Sequence, residues 1–158
     1  LESNMLPNSI LEAGSISVAD PASSKKRILE QAARLLAGSA EEPDAEQIFE
    51  RLLERERLGS TGLAGGVALP HARMPGLEES RGAFLQLANA VEFDALDGSP
   101  VDLVFALLVP ENANEEHLQL LARLAAMFNE EELRERLRNA AKDEALAILT
   151  GKSSTHAA

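Results

Sequence analysis

The sequence predicts an α/β fold, with a mixed parallel/antiparallel sheet flanked by helices on both faces. Three observations predict it. Residues 24–37 and 44–57 carry apolar side chains at helical spacing, behind serine and aspartate caps. Residues 101–109, Val-Asp-Leu-Val-Phe-Ala-Leu-Leu-Val, are nearly continuous apolar and stop at Pro110, as a strand covered on both faces does. Helical and strand-like segments also interleave along the chain.

Taken in order, residues 5–22 read as loop and short extended pieces, broken by Pro7, Gly14 and Pro21. Ser23 or Ser24 caps the first helix, which turns Ile28, Leu29, Ala32, Leu35 and Leu36 to one side and ends at Gly38. Asp44 followed by Gln47 is a capping-box pattern, and the helix behind it buries Ile48, Phe49, Leu52 and Leu53. Residues 59–66 form a loop with four glycines. A short strand over 67–69 follows, stopped by Pro70, and it feeds a loop at His71. Further strands are expected over 83–91 and 101–109, then helices near 115–128, 130–140 and 143–150.

The 158 residues fit one domain, expected over 5–150. Residues 1–4 precede Met5 and read as a cloning remnant, and 151–158 as a flexible tail. With no cysteine, disulfides and thiolate chemistry are excluded within this sequence. No apolar run is long enough to cross a membrane and no secretory signal pattern is visible, so the expected location is cytoplasmic. The net charge is −11, and aromatic residues are five Phe without Trp or Tyr. That composition argues against a nucleic-acid partner. The charge is uneven: residues 51–81 hold five Arg and four Glu, so they carry +1 within an acidic chain. Such a segment suits an anion.

Chemistry is expected at few positions. His71 follows Pro70 just past a strand end, where α/β proteins place ligands, and a neutral imidazole is a nucleophile. The alternative is a loop histidine bonded locally. Asn114 is a good N-cap, which puts His117 in the first turn of a helix and in line with Leu121, Leu124 and Phe128. Free backbone N–H groups at a helix start favour an anion. A partly buried histidine with one hydrogen bond is the plainer reading of His117. Arg55 borders the apolar edge of its helix and could fold toward a phosphate, or simply be solvated. The glycine loop is not a Walker A sequence. The histidine spacing offers no metal pair, so neither metal nor cofactor is expected. Asp94, Asp97 and Asp102 read as turn chemistry. No Gly-x-Ser-x-Gly context supports a hydrolase.

Three stretches carry a family resemblance: Arg55-Glu-Arg-Leu-Gly-Ser-Thr-Gly-Leu-Ala-Gly-Gly-Val-Ala-Leu-Pro-His-Ala-Arg73, Phe93-Asp-Ala-Leu-Asp-Gly-Ser-Pro-Val-Asp-Leu-Val-Phe-Ala-Leu-Leu-Val-Pro110, and Glu116-His-Leu-Gln-Leu-Leu-Ala122. Together they resemble the fructose/mannitol-type enzyme IIA domains of the bacterial phosphoenolpyruvate-dependent phosphotransferase system, and within them the nitrogen-regulatory (Ntr) branch. The resemblance implies a phosphocarrier, a phosphotransferase in which His71 takes the phosphoryl group on Nε2 from a phosphohistidine of an HPr/NPr-type protein. It implies that His117 and Arg55 contact that group, with Arg73 and Asn114 in support. Ala72 departs from the glycine frequent at that position. A regulatory role, with unidentified target proteins as partners, is the first reading. The alternatives are a sugar-specific IIA component passing phosphate to a separate IIB protein, and a module that binds partners when unphosphorylated.

Overall fold

The structure, a computed structural model, describes residues 6, 7 and 9–151. The expected remnant at 1–4 lies outside the described residues, as does the tail from 152 onward with His156. A 3-10 turn at Ala13–Ser15 leads into β1 (Ile16–Asp20). Then follow α1 (Lys25–Ala37), α2 (Ala45–Leu58), β2 (Val67–Ala68), β3 (His71–Met74), β4 (Arg81–Val91) and β5 (Val101–Pro110). Three helices follow among the described residues: α3 (Glu115–Phe128), α4 (Glu131–Arg138) and α5 (Lys142–Thr150).

The helix signals act as expected. The Ser24 side chain accepts from Arg27 N–H, and Gly38 closes α1 at φ 57°. Asp44 and Gln47 close a reciprocal capping box on α2, at 2.8 and 2.9 Å. Each such cap is worth about 1 kcal/mol. Ile48 and Leu52 are buried as expected, whereas Phe49 and Leu53 are only half-buried at the edge of the α2 stripe.

The sheet runs β1-β4-β5-β2, with β3 also on β5. The β4–β5 pair is antiparallel and the others are parallel, so the sheet is mixed. Helices cover both faces. Alternation along β5 turns Val104, Ala106 and Leu108 toward α1 and α2, and Leu103, Phe105 and Leu107 toward α3, α4 and α5. In the second layer Phe128 packs against Phe84 and Phe105, with ring centroids 6.4 and 6.1 Å apart. Among the described residues no helix is long and apolar enough to cross a membrane.

Two strand expectations change. Residues 16–20, read as part of a loop with extended pieces, form a full edge strand parallel to β4. The polar Ser17 and Asp20 hide this in the sequence, because they bond each other at 2.7 Å instead of facing solvent. His71 does not lie in a loop beyond the strand; it opens β3. Val67 pairs with Leu103 and His71 with Leu107, so β2 and β3 keep one register along β5. The pair is one edge strand interrupted at Leu69–Pro70. Pro70 lacks an N–H but sits at the edge, where none is required, and its carbonyl accepts from Leu107 N–H at 2.9 Å.

The glycine loop is pinned from several sides. Gly65 N–H donates to Asp97 Oδ2 at 3.1 Å, and its carbonyl accepts from Arg138 at 2.6 Å. Arg138 also grips Asp102 with Nε, at 2.9 Å. The aspartates read as turn residues therefore anchor neighbouring segments as well. Ser99 N–H and Gly65 N–H hold the Asp97 carboxyl below its usual pKa. Gly65 and Gly66 both have φ +81°, and a Cβ on Gly66 would lie 2.7 Å from Arg138 Nη2. Gly66→Ala should therefore lower stability by about 2 kcal/mol, combining left-handed strain with that clash. A urea-unfolding midpoint equal to wild type would refute the assignment of that turn.

Candidate functional site

An open cleft of about 690 Å³ lies along the β3 edge. It is walled by α2, by β3 and β5, and by the first turns of α3. His71 enters it from the first residue of β3 and His117 from α3, although 46 residues separate them. Among the described residues, Arg51, Arg55 and Arg57 come from α2 and Arg73 from β3, against one glutamate, Glu54. The floor and rim are apolar: Leu107, Val109 and Leu121 below, with Leu58 and Leu118 exposed at the lip. The cleft thus joins an apolar surface to a concentration of guanidinium groups, in a protein of net charge −11.

The His71 ring is held. Its Nδ1 lies 2.8 Å from the Leu69 carbonyl oxygen. A carbonyl only accepts, so Nδ1 carries the hydrogen and, in the neutral ring, Nε2 carries the lone pair. Burial pushes the imidazole pKa below its usual 6.5; the Leu69 bond opposes this, Arg55 adds to it and Glu56 opposes it. Net lowering keeps the ring neutral at pH 7. A nucleophilic nitrogen is therefore available without a separate base.

Arg55 sits in the last turn of α2 and donates through Nη1 to the Gly59 carbonyl at 2.9 Å. That bond satisfies a carbonyl at the helix end and leaves further N–H groups of the fork for an anion. His117 is half-buried. Asn114 caps its helix, with Oδ1 accepting from His117 N–H at 3.4 Å, and Asn114 also holds the ring: Nδ1 lies 3.3 Å from Asn114 N and 3.0 Å from Oδ1. Arg73 donates to the Glu111 carbonyl at 3.0 Å. It therefore ties β3 to the turn that carries Asn114 and His117.

All three principal residues expected from the sequence, His71, His117 and Arg55, line one cleft, with Arg73 beside them and Asn114 behind His117. Arg51 was not foreseen. Its signal was its spacing, four residues before Arg55 on the same helix face.

The family model for the phosphoenolpyruvate-dependent sugar phosphotransferase system, EIIA 2, matches residues 9–152. The chain belongs to this family. A nitrogen regulatory protein of Pseudomonas aeruginosa is 53% identical over 137 residues, covering 87% of this chain and 89% of that protein. The crystal structure of nitrogen regulatory protein IIA-Ntr from Neisseria meningitidis superposes with a TM-score of 0.83 at 46% identity, covering 90% of this chain and 98% of that one. The mannitol enzyme IIA of Escherichia coli, solved in complex with phosphorylated mannitol enzyme IIB, gives 0.71 at 26% identity over 90% and 98% of the two chains. Membership of the EIIA family implies a phosphotransfer role for this chain.

The causes of the His71 shift make a testable pair. The ring should titrate below 6.5, and Arg55→Ala, which removes a nearby positive charge, should raise the midpoint. Ring-resonance NMR across pH 4–9 (an interval of about five units around the ordinary value) checks both. A midpoint that stays put in Arg55→Ala would mean the guanidinium does not act on this imidazole.

Proposed function

We propose that this EIIA protein is a phosphocarrier that accepts a phosphoryl group on Nε2 of His71. The observation that carries this reading is the Nδ1–H bond to the Leu69 carbonyl, which leaves the lone pair on Nε2 in a cleft rich in arginine. The donor is a phosphohistidine of an HPr/NPr-type protein. In the transfer, the donor's P–N bond breaks as a P–N bond forms to His71 Nε2. The pair of electrons stays with the donor ring, which leaves neutral, while His71 Nδ1–H remains on the Leu69 carbonyl.

This chemistry asks the protein for in-line positioning and for charge stabilisation around the transferring oxygens. Arg55 and the first turn of α3 face that charge, and His117, whose Nδ1 accepts from Asn114 N–H, meets it by donating through Nε2–H. Arg73 positions the turn holding Asn114. The apolar lip of Leu58 and Leu118 offers contact area to a carrier protein around the reacting histidines.

The similarity to nitrogen regulatory proteins, at 53% and 46% identity, favours a regulatory role in the cytoplasm, in which the phosphorylation state of His71 governs binding to target proteins. A sugar-specific role is the second reading, favoured by the likeness to the mannitol IIA protein solved with its IIB partner. Transfer of label from this protein to a sugar-specific IIB of the same organism would select the second.

Incubation with labelled phosphoenolpyruvate, enzyme I and an HPr-type carrier should place one acid-labile, base-stable phosphoryl group on the protein, and none on His71→Ala. Equal labelling of His71→Ala would end the assignment. His117→Ala should still be labelled but pass the group onward about a hundredfold more slowly, and Arg55→Ala should be labelled more slowly by a similar factor. Wild-type rates in either variant, measured by rapid quench, would remove that residue from the transfer.

A further inference from the structure

Glu56 follows Arg55 in α2, yet its side chain turns the other way and is 4% exposed. A buried carboxylate needs partners for both oxygens. Here Oε1 accepts from the Thr61 hydroxyl at 2.6 Å, and Oε2 accepts from Thr61 N–H at 3.0 Å and pairs with Lys25 Nζ at 2.8 Å. Lys25 is itself seated over the Phe93 ring, 4.7 Å from its centroid, and reaches Asp94 at 3.4 Å. One carboxylate thus fastens the start of α1, the end of α2 and the glycine loop together.

The grip continues inward. The Thr61 carbonyl accepts from Leu69 N–H at 3.0 Å. The Leu69 carbonyl is the group that accepts from His71 Nδ1. A chain of hydrogen bonds therefore runs from the Glu56 carboxylate through residue Thr61 and residue Leu69 to the imidazole. Each residue is held at its N–H and holds the next group at its carbonyl. Burying a charge for this purpose brings no clear gain in stability over an apolar side chain. Its distinctive effect is to specify where Thr61 lies.

We propose that Glu56 is a positioning residue for His71: by fixing Thr61, and through it the Leu69 carbonyl, it selects the Nδ1–H tautomer that leaves the lone pair on Nε2. Its bearing on phosphoryl transfer rests on the function proposed above; its effect on the ring does not. Arg55 and Glu56 then divide the work within one helical turn, with Arg55 lining the cleft and Glu56 holding the nucleophile's orientation from behind.

The test reads the ring directly. Two-bond proton–nitrogen correlation spectra of the uniformly nitrogen-15-labelled, unphosphorylated full chain report the His71 tautomer above its titration midpoint. Wild type should be in the Nδ1–H form. Glu56→Gln and Thr61→Val should each lower the ratio of Nδ1–H to Nε2–H forms by about fivefold. Thr61→Ser, which keeps both donors to the carboxylate, should restore the wild-type ratio. Backbone amide spectra identify folded variants, and Thr61→Val decides alone if Glu56→Gln does not fold. An Nε2–H ring in wild type, or an unchanged ratio in the folded variants, overturns the proposal. Phosphorylation by the HPr-type donor should slow about tenfold alongside the tautomer shift. If the tautomer shifts but wild-type His71 accepts no phosphoryl group, the positioning role stands and the proposed function fails.

Discussion

The ladder between β5 and the broken strand formed by β2 and β3 is the constraint on which the site depends. β5 is buried along nearly its whole length and contributes side chains to both core layers. It therefore has almost no freedom to slide, because a shift of one residue would send each layer's side chains into the other. β2 and β3 inherit that fixed register residue by residue. His71 is opposite Leu107 for this reason, and Arg73 opposite Val109. The strand that fixes His71 then ends at Pro110, five residues before the start of α3. Both histidines are thus referred to the same rigid strand, one by pairing and the other by chain connection.

Charge is arranged against the average of the molecule. The chain is strongly acidic, yet among the described residues the cleft presents four arginines and one glutamate. Two of these arginines, Arg55 and Arg57, lie in the last turn of α2, where the helix dipole already favours cations. That placement offsets part of the repulsion among them. It also lets Arg55 meet a helix-end carbonyl while facing the cleft. Burial pushes the His71 ring toward its neutral form, and Arg55 adds to that push.

Much of this was legible in the sequence, for physical reasons that differ from element to element. The caps at Ser24 and at Asp44 with Gln47 are local, so their hydrogen bonds could be read from neighbouring letters. β5 was legible because burial on both faces leaves an unbroken apolar run. His71, His117 and Arg55 stood out as candidates, and the fold brings them together through the fixed register of β5, which no local pattern encodes. β3 was misread because Pro70 looks like a terminator, and only an edge position makes it harmless. Glu56 was invisible as a buried group: in a helix rich in glutamate and arginine it reads as one more solvated charge, and only Lys25 and Thr61, distant by 31 and 5 residues, reveal otherwise.

The position of the proposed nucleophile on a strand bears on how a phosphorylated form would be told from an unphosphorylated one. A histidine on a mobile loop could answer new charge by moving. His71 is restrained by its pairing with Leu107, by the bond to the Leu69 carbonyl, and by the anchored loop behind that peptide. A phosphoryl group on Nε2 would find its surroundings already in place and would change mainly the field at the mouth of the cleft. Partners that distinguish the two forms would then be reading charge against a constant apolar rim of Leu58 and Leu118. Such a surface would serve relay and regulation alike, because the shape that would admit the proposed carrier protein is also the shape on which the added charge would be displayed.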